Sequence, residues 1–389
     1  MKVGLILFLL PCLLPSSSWA WWDHGHETIG ALALKGLTPV TQAKVNKLLQ
    51  FPLSAPGSAE LSKKMNTLSS ASSWADHIGD QLFKSTLGAD RYGSTCHYLD
   101  LVLYSDELGV VGKNPESLRS KILEKSKSFS DVGGKNYLSC TRDFIKVLTS
   151  PQESDENKAV ALRYLIHVLG DLHQPLHSFS VSSREPGSTP NRGGNLLKIP
   201  PTQISVYSVP KPLFQQVTNL HFLWDAGLGA FKQLKKVYFK DPEDLAGLKN
   251  AERSAENSPA VQEAVKDLLG DKHRVAQIKK KFLDPKKAQS LENWVIESID
   301  LGVNGAYQGL SKTSKDYIKT EFSNYSEYHN RNVVKAKSQM LLAGLRLSQV
   351  LNAIYDPKNA SRAFVTMIYS ASNPARELPH PQSAPESVK

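Results

Sequence analysis

Two segments of the chain place a histidine four residues before an aspartate. His167 and Asp171 lie in "HVLGDLHQPLH", and His221 and Asp225 lie in "HFLWD". Residues four apart on an α-helix leave the same face, so each pair can close on one metal ion. A single pair is more often a satisfied core histidine than a ligand, but two pairs with apolar flanking residues favour metal binding.

Further residues of the same types extend this pattern. Pro175 must end the helix of the first pair, so we expect His177 in the turn that follows. The other candidates are Asp76 in "SWADH", His97 in "CHYLD" and His26 near the N-terminus. Imidazoles mixed with carboxylates, without paired thiolates, are typical of catalytic zinc sites. Five histidines and three aspartates exceed the needs of one tetrahedral ion, and therefore indicate at least two metal ions.

The N-terminal segment offers an additional ligand. Residues 1–20 have the features of a secretory signal peptide, with an apolar stretch at Val3–Leu14 and a small-x-small site that ends at Ala20. An uncleaved anchor is the weaker interpretation, because the apolar stretch is too short to span a bilayer. Cleavage after Ala20 would expose the α-amine of Trp21, whose pKa is normally ~7.7–8.0 and which a metal readily deprotonates. The amine and carbonyl of Trp21 could then chelate a metal together with His26.

The elements that must position these residues have helical spacing almost throughout. Asp155 to His173 is the most strongly apolar segment, and a helix that is apolar on more than one face belongs at the centre of a bundle. Thr38 followed by Pro39 is a typical helix start. No alternating strand pattern or glycine-rich phosphate loop stands out, so we predict an all-α fold with a single mainly helical domain. Further helices are predicted near residues 116–127, 227–238, 259–282, 290–308 and 331–355.

The domain organisation follows from where this helical pattern begins and ends. We predict a signal peptide at 1–20, one domain at 21–355 and a C-terminal extension at 356–389. The pattern fades from about Asp356, and residues 371–389 have the composition of a disordered tail. A long loop rich in Ser, Pro and Gly at 178–195 is of a kind that is often functional in compact domains.

Composition limits the class of protein and its partners. The 389 residues include 40% hydrophobic ones but no apolar run long enough for a membrane helix, so we expect no stable membrane insertion. We also expect a monomer. The formal net charge of +10 favours anionic partners such as nucleic acid or a lipid surface. Cys96 and Cys140 could form a disulfide in an oxidising compartment, although sequence alone does not establish their proximity. Asn324 and Asn359 begin sequons that fit a secreted glycoprotein.

The pattern as a whole resembles the class I zinc-dependent nucleases, which are secreted single-strand nucleases and 3′-nucleotidases. The resemblance covers most of residues 21–355 in the right order. The matching features are Trp21 with His26, Asp76 in "WAD", His97 in "HYLD", "HVLGDLHQPLH", "GGN" at 193–195, "HFLWD", "WVIES" at 294–298 and "AGLRLSQVLN" at 343–352.

This resemblance implies a mainly helical domain around three zinc ions. The ligand sets it implies are Asp76, His97, His167 and Asp171 for one ion; Trp21, His26 and the bridging Asp171 for the next; and His177, His221 and Asp225 for the third. In this scheme Asp76 and Asp171 are catalytic together with a zinc-bridging hydroxide, which attacks phosphorus and yields 5′-nucleotides.

The resemblance also implies a substrate site for single-stranded DNA, RNA and 3′-nucleotides. Tyr98 would stack on a base, Asp100 would be its hydrogen-bonding neighbour, and Asn195 of "GGN" would complete the site. Stacking tolerates any base and requires an unpaired one, so weak sequence preference and selectivity for single strands are expected.

The chain departs from the family pattern at some positions. Gly79 replaces a basic residue found in fungal members, and Lys84 is one candidate to take over its role. Asn191 stands where an acidic residue is frequent. The two cysteines of the mature chain do not reproduce the fungal disulfide pattern. Three lysines that share one predicted helix face, Lys232, Lys236 and Lys240, could meet phosphates, although a solvated face is the simpler interpretation.

Two other functions remain open at this point. Bacterial zinc-dependent phospholipase C shares an N-terminal tryptophan and the central histidine and aspartate spacing, but its first histidine lies farther from the N-terminus and its last ligand is a glutamate. The short spacing from Trp21 to His26 and the presence of Asp225 favour the nuclease. A secreted metal-binding protein without activity is the third possibility, and Gly79 is its only support.

Overall fold

The computed structural model describes residues 21–54, 56–78, 94–108, 117–124, 135–207, 213–230, 233–234, 258–287, 289–312 and 320–372. The predicted signal peptide, Gly79, Lys84, the three lysines at 232, 236 and 240, and residues 373–389 lie outside these ranges. Within them the chain is mainly helical, as the sequence predicts.

The helices follow one another through most of the chain. The α-helices are α1 (Asp23–Leu34), α2 (Pro39–Leu49), α3 (Pro56–Lys64), α4 (Leu68–Ala71), α5 (Trp74–Ile78), α6 (117–124), α7 (Tyr137–Thr149), α8 (Asp155–Asp171), α9 (Leu220–Asp225), α10 (Pro259–Gly270), α11 (Lys272–Phe282), α12 (Leu291–Leu301), α13 (Tyr325–Tyr355) and α14 (Arg362–Ser372). Short 3₁₀ turns lie at Ser94–His97, Pro175–His177, Gly227–Gly229 and Pro357–Asn359, and a π-turn at Gly302–Ala306 follows α12.

Helix α8 lies at the centre of the fold. It begins at Ser154, whose hydroxyl accepts a hydrogen bond from the amide of Asn157, and every residue at 161–171 is buried. It contacts α1, α2, α4, α5, α7 and α13. A helix that is apolar on all sides is unstable in contact with water, so the apolar pattern of α8 explains its central position. The predicted start of α2 is confirmed, because the Thr38 hydroxyl caps the amide of Thr41.

Small sheets accompany the helices, and the sequence pattern did not indicate their strands. The strands are β1 (Leu101–Tyr104), β2 (Phe179–Ser182), β3 (Lys198–Tyr207), β4 (Leu213–Asn219), β5 (Gln233–Leu234), β6 (Leu310–Lys312) and β7 (Thr320–Phe322). β1 and β2 form a parallel pair, β3 lies between antiparallel β4 and parallel β5, and β6 pairs with β7. Four-residue strands such as β1 and β2 are too short to give a clear alternating pattern.

Three predicted helices differ from the observed ones. The helix expected at 227–238 begins instead with a 3₁₀ turn, because Gly227, Leu228 and Gly229 all have positive φ, which an α-helix does not allow. The segment at 259–282 forms two helices, since Asp271 has a non-helical backbone and caps the amide of Arg274. The segment at 290–308 ends its α-helix at Leu301 and continues as the π-turn.

Helix α14 was missed by the sequence pattern, which fades from about Asp356. This helix buries Phe364, Met367 and Ile368 and packs against α7 and α13. Its β-branched residues lower its intrinsic helix propensity, so tertiary packing stabilises it.

A disulfide between Cys96 and Cys140 joins the turn at Ser94–His97 to α7. The Cα atoms of these two residues lie 5.7 Å apart. The bond therefore fixes the backbone immediately before His97. Among the helices of the described ranges, none has both the length and the apolar character that a membrane span needs.

Candidate metal centre

Helix α8 carries two of the predicted ligands at its buried C-terminal end. His167 and Asp171 lie one turn apart, and Nε2 of His167 is 3.3 Å from Oδ2 of Asp171. Both side chains are fully buried. Because the central helix is packed on all sides, these two side chains have fixed positions around which the other candidates assemble.

Asp76 and His97 form the first group with His167. Asp76 lies on the short helix α5, and its Oδ1 is 3.4 Å from Nε2 of His167. Nδ1 of His97 lies 2.9 Å from Nε2 of His167 and 3.1 Å from Oδ2 of Asp171. The potential ligand atoms of Asp76, His97 and His167 all lie within 4.8 Å of one another, a spacing that a single ion can bridge.

His26 of α1 approaches the opposite oxygen of Asp171. Its Nε2 lies 3.3 Å from Oδ1 of Asp171, and its ring stacks on His167 with 4.0 Å between ring centroids. His26, His167 and Asp171 form the second compact group.

The Trp21–Trp22 backbone passes beside this second group. The indole N–H of Trp21 donates to the carbonyl of Gly170 over 3.2 Å, and the amide of Trp22 donates to the carbonyl of Asp225 over 2.9 Å. Both tryptophans are buried. This start of the domain is thus held between the helix ends that carry Asp171 and Asp225.

The third group combines His177 with the pair on α9. Nε2 of His177 lies 3.1 Å from Nε2 of His221, which in turn lies 3.4 Å from Oδ2 of Asp225. His177 comes from the 3₁₀ turn at Pro175–His177, as expected from the position of Pro175. All eight predicted side-chain ligands therefore fall into the three groups.

Backbone carbonyls orient three of the histidine rings. Nδ1 of His167 faces the carbonyl of Ser72 at 2.7 Å, Nδ1 of His177 faces the carbonyl of His97 at 2.7 Å, and Nδ1 of His221 faces the carbonyl of Gly193 at 2.8 Å. A carbonyl only accepts, so in each ring Nδ1 carries the proton and donates. The lone pair of Nε2 is then directed into the centre, which is the arrangement that metal-binding histidines adopt.

The electrostatics of the centre favour a cation. Burial alone would raise the pKa of Asp171, but the neighbouring imidazoles, led by His167, lower it well below its ordinary value. Burial would likewise lower the pKa of His167, but the carboxylates of Asp171 and Asp76 raise it well above the ordinary value. Burial and the proximity of His167 lower the pKa of His26.

The donor set fits zinc. Both oxygens of Asp171 are buried and accept no hydrogen bond, and they face imidazole nitrogens on both sides. A buried carboxylate requires a compensating positive charge. Imidazole nitrogens and carboxylate oxygens in this arrangement are the donors that zinc takes in catalytic sites.

Sequence reasoning missed residues that support these ligands without being ligands themselves. The side chain of Gln174 donates from Nε2 to Oδ1 of Asp225 over 2.5 Å, and its Oε1 accepts from the amide of Leu176 over 2.6 Å. Gly170 gives His26 room, because a Cβ there would lie 2.8 Å from Nδ1 of that ring. Their positions inside "HVLGDLHQPLH" were the available signal.

The predicted substrate residues Tyr98, Asp100 and Asn195 lie near the metal centre. Asp100 accepts a hydrogen bond from the hydroxyl of Ser180, and that hydroxyl accepts one from the amide of Gly193 over 2.8 Å. Asp100 and the "GGN" loop are thereby joined. The side chain of Asn195 is buried and donates to the carbonyl of Arg192 over 3.0 Å, and Tyr98 is partly buried beside His97.

The "GGN" loop requires glycine at its first position. Gly193 has φ of +59°, and a Cβ there would lie 2.2 Å from the carbonyl oxygen of Leu176. This close approach brings the carbonyl of Gly193 to the ring of His221. The motif therefore orients the third group. Asn191, which stands where an acidic residue is frequent in the resembled family, accepts from the amides of Val181 and Gly194 and so holds the same loop.

Comparison with known proteins assigns residues 21–356 to one kind of protein. The sequence model described as S1/P1 Nuclease matches residues 21–356. The chain is 23% identical to Endonuclease 2 of Arabidopsis thaliana over 338 residues, which are 86% of this chain and 90% of that protein. It is 27% identical to Endonuclease 4 of the same plant over 214 residues, 53% of this chain and 54% of that protein. It is 22% identical to Nuclease S1 of Aspergillus oryzae over 229 residues, 56% of this chain and 61% of that protein.

Proposed function

We propose a specific reaction for this chain, which belongs to the S1/P1 nuclease family and is a hydrolase that acts on phosphodiester bonds. The proposal is that it is a secreted, monomeric enzyme that requires three zinc ions. It hydrolyses single-stranded DNA and RNA to 5′-nucleotides, and it hydrolyses the 3′-phosphomonoesters of nucleotides with release of inorganic phosphate.

The observation that carries the proposal is the position of Asp171 between two groups. Its Oδ1 faces His26 at 3.3 Å, whereas its Oδ2 faces His97 at 3.1 Å and His167 at 3.3 Å. A carboxylate whose two oxygens face separate sets of imidazoles is placed to bridge two ions. Adjacent ions of this kind, when bound, supply an activated water and take the negative charge of the leaving oxygen in phosphodiester hydrolysis.

We assign the ligands of the three ions as the resemblance implies. Asp76, His97, His167 and Asp171 would hold one ion, and Asp171 together with Trp21 and His26 would hold a second. His177, His221 and Asp225 hold the third. The chain supplies orientation: the carbonyls of Ser72, His97 and Gly193 fix three of the imidazoles, and Gln174 fixes Asp225.

Processing of the N-terminus belongs to the same proposal. Cleavage after Ala20 would give Trp21 the free amine that the second ion requires. The structure supports this role because the Trp21–Trp22 backbone lies between the helix ends of Asp171 and Asp225. The leader would then both direct secretion and, once removed, create a ligand.

Recognition of single strands rests on Tyr98 and Asp100. We propose that the Tyr98 ring stacks on an unpaired base and that Asp100, held by the Ser180 hydroxyl, accepts hydrogen bonds from its edge. Asn195 would hold the neighbouring loop and contact the sugar or base. The disulfide at Cys96 fixes the backbone next to this pair.

One preparation tests the proposal against its rivals. The purified protein is assayed for zinc content and for hydrolysis of single-stranded DNA, RNA, 3′-AMP and phosphatidylcholine. We expect hydrolysis of the nucleic acids and of 3′-AMP, with loss of activity after chelation and recovery with added zinc. Activity on the lipid alone would assign the chain to the phospholipase C class, and zinc without activity on any substrate would indicate a metal-binding protein.

A further inference from the structure

A cleft of about 490 Å³ lies outside the residues discussed so far. It is lined by Val102, Tyr104 and Ser182 of the β1–β2 pair and by residues of the long loop that include Arg184, Glu185, Ser188 and Pro190. Small-molecule sites have volumes of about 300–1,000 Å³, so the cleft is large enough for one nucleoside.

The β1–β2 pair connects this cleft to the metal centre. The two strands are parallel, and each begins a few residues after a predicted zinc ligand, β1 after His97 and β2 after His177. Tyr104 pairs in register with Ser182 at the opposite end. At about 3.3 Å per residue, Tyr104 lies roughly 10 Å along the strand from Leu101, the residue that follows Asp100. Both strands therefore run from the metal centre to the cleft.

The side of β1 that includes Tyr104 is the accessible one. Leu101 and Leu103 are buried, whereas Val102 and Tyr104 are partly exposed. Alternate residues of a strand share a face, so Val102 and Tyr104 form a continuous surface that begins close to Asp100. A single strand bound at Asp100 can follow this surface.

Arg184 and Tyr104 form a flat platform in the cleft. The guanidinium carbon of Arg184 lies 4.1 Å from the centroid of the Tyr104 ring. Nε of Arg184 donates to Asp106 over 3.0 Å, and its Nη2 donates to Glu107 over 3.0 Å. Glu107 also accepts from the backbone amide of Tyr104 over 3.0 Å. The guanidinium is therefore held in one plane on the ring, and its side chain is still 56% exposed.

The two carboxylates determine what the platform can bind. Asp106 and Glu107 offset the positive charges of Arg184 and Lys121, and the carboxylate of Glu185 also lines the cleft, so a phosphate gains little by approaching it. The exposed face of a guanidinium held in this way is a stacking surface, and unpaired bases stack on arginine planes as well as on aromatic rings. The platform thus favours a neutral planar group over an anion.

We propose that the Tyr104–Arg184 platform is a second base-binding subsite, which takes a base of the single strand whose scissile phosphate lies at the metal centre. This inference rests on the proposed function and extends it from one bound nucleotide to a longer segment. The enzyme would then prefer oligonucleotides over mononucleotides by the contribution of this second stacked base.

The test compares two substrates in the full-length mature enzyme. 3′-AMP has only one base and cannot occupy the metal centre and the platform together, whereas a single-stranded octanucleotide can. We expect Arg184→Ala to lower kcat/KM for the octanucleotide about tenfold, mainly through KM, and to leave kcat/KM for 3′-AMP unchanged. Arg184→Lys keeps the positive charge but lacks the planar guanidinium, so it should lower kcat/KM for the octanucleotide about as much as Arg184→Ala does. Arg274→Ala, which removes another surface arginine paired with an aspartate, is the matched control and should change neither substrate.

Each other outcome overturns the inference in an identifiable way. Full octanucleotide activity in Arg184→Ala would exclude the platform while the proposed function stands. Full activity in Arg184→Lys alone would assign the effect to charge and a phosphate, and equal losses on both substrates would show that Arg184 acts on the centre itself. A wild-type enzyme that cleaves neither substrate would overturn the proposed function, and this inference with it.

Discussion

Replacing Gln174 with leucine should weaken the third zinc site specifically. The Gln174 amide holds Oδ1 of Asp225 at 2.5 Å, while its Oε1 accepts from the amide of Leu176 at 2.6 Å. Leucine has similar bulk but makes neither bond. The carboxylate of Asp225 then loses the partner that orients it towards His177 and His221.

The expected losses of zinc affinity and of folding stability follow from these two hydrogen bonds. Loss of a partner that orients a metal ligand typically weakens metal binding about 10- to 100-fold, which is about 1.4–2.8 kcal/mol. The unpaired amide of Leu176 should add a loss of about 1–3 kcal/mol in folding stability, which an ordinary domain of this size survives. We therefore expect a folded variant that holds two zinc ions firmly and the third weakly.

The measurement is zinc retention against a competing chelator, with the metal counted by elemental analysis. Gln174→Glu separates the two bonds: it keeps the acceptor for Leu176 but places a second carboxylate against Asp225. Because Gln174→Glu keeps the Leu176 bond, a loss of zinc in this variant would trace to the contact with Asp225, while repulsion between the two buried carboxylates should lower its stability. Gln289→Leu is the matched control, because Gln289 accepts from the indole N–H of Trp294 and contacts no predicted ligand. A Gln174→Leu variant that retains all three ions within twofold of wild type would refute the reasoning.

Three further predictions concern the other groups. One extra residue before Trp21 in the mature chain should leave the fold intact but remove one zinc and most activity, measured by metal content and 3′-AMP hydrolysis; full activity would exclude the free amine as a ligand. In the metal-free protein the protonated His167 ring stabilises the fold. This stabilisation is complete below the ordinary histidine pKa of 6.5 and is lost as pH rises through the raised pKa of the folded state. Zinc binding requires neutral imidazoles and therefore stabilises the fold more as pH rises. Thermal melts over pH 7 to 9, above the range in which the buried histidines with lowered pKa values would take up a proton on unfolding, should therefore have opposite slopes with and without a chelator, and parallel slopes would contradict this. Gly170→Ala should displace the His26 ring, because its Cβ would lie 2.8 Å from Nδ1, and should reduce zinc content to two ions; a variant with three would show that the ring adapts.

The sequence predicts the parts of the centre that depend on local geometry. The spacing of His167 and Asp171 determines a shared helix face, and the structure has both on one turn at 3.3 Å. Pro175 likewise predicts the turn that carries His177. His26 and Asp171 lie far apart in the sequence, and only the family resemblance suggested that they meet. The periodicity of a helix pattern gives no information on contacts between residues so far apart in the sequence.

The supporting residues and the platform were not predicted from the sequence, for a different reason. Gln174 and Ser180 act through hydrogen bonds whose partners are set by the tertiary fold, and neither residue type has a characteristic spacing. Tyr104 and Arg184 meet because β1 and β2 pair in register, and these strands are too short to be recognised from alternation. In this chain, ligand chemistry is visible in the sequence, while the groups that orient ligands and extend the site are not.

Anomalous diffraction from crystals of the mature protein at the zinc absorption edge is the most direct test of the proposed centre. The proposal requires three peaks: one among Asp76, His97, His167 and Asp171, one between His26, Asp171 and the amine of Trp21, and one among His177, His221 and Asp225. Fewer than three peaks at these positions in protein purified without chelator would contradict the proposed centre, and fewer than two would also contradict the reaction proposed for it.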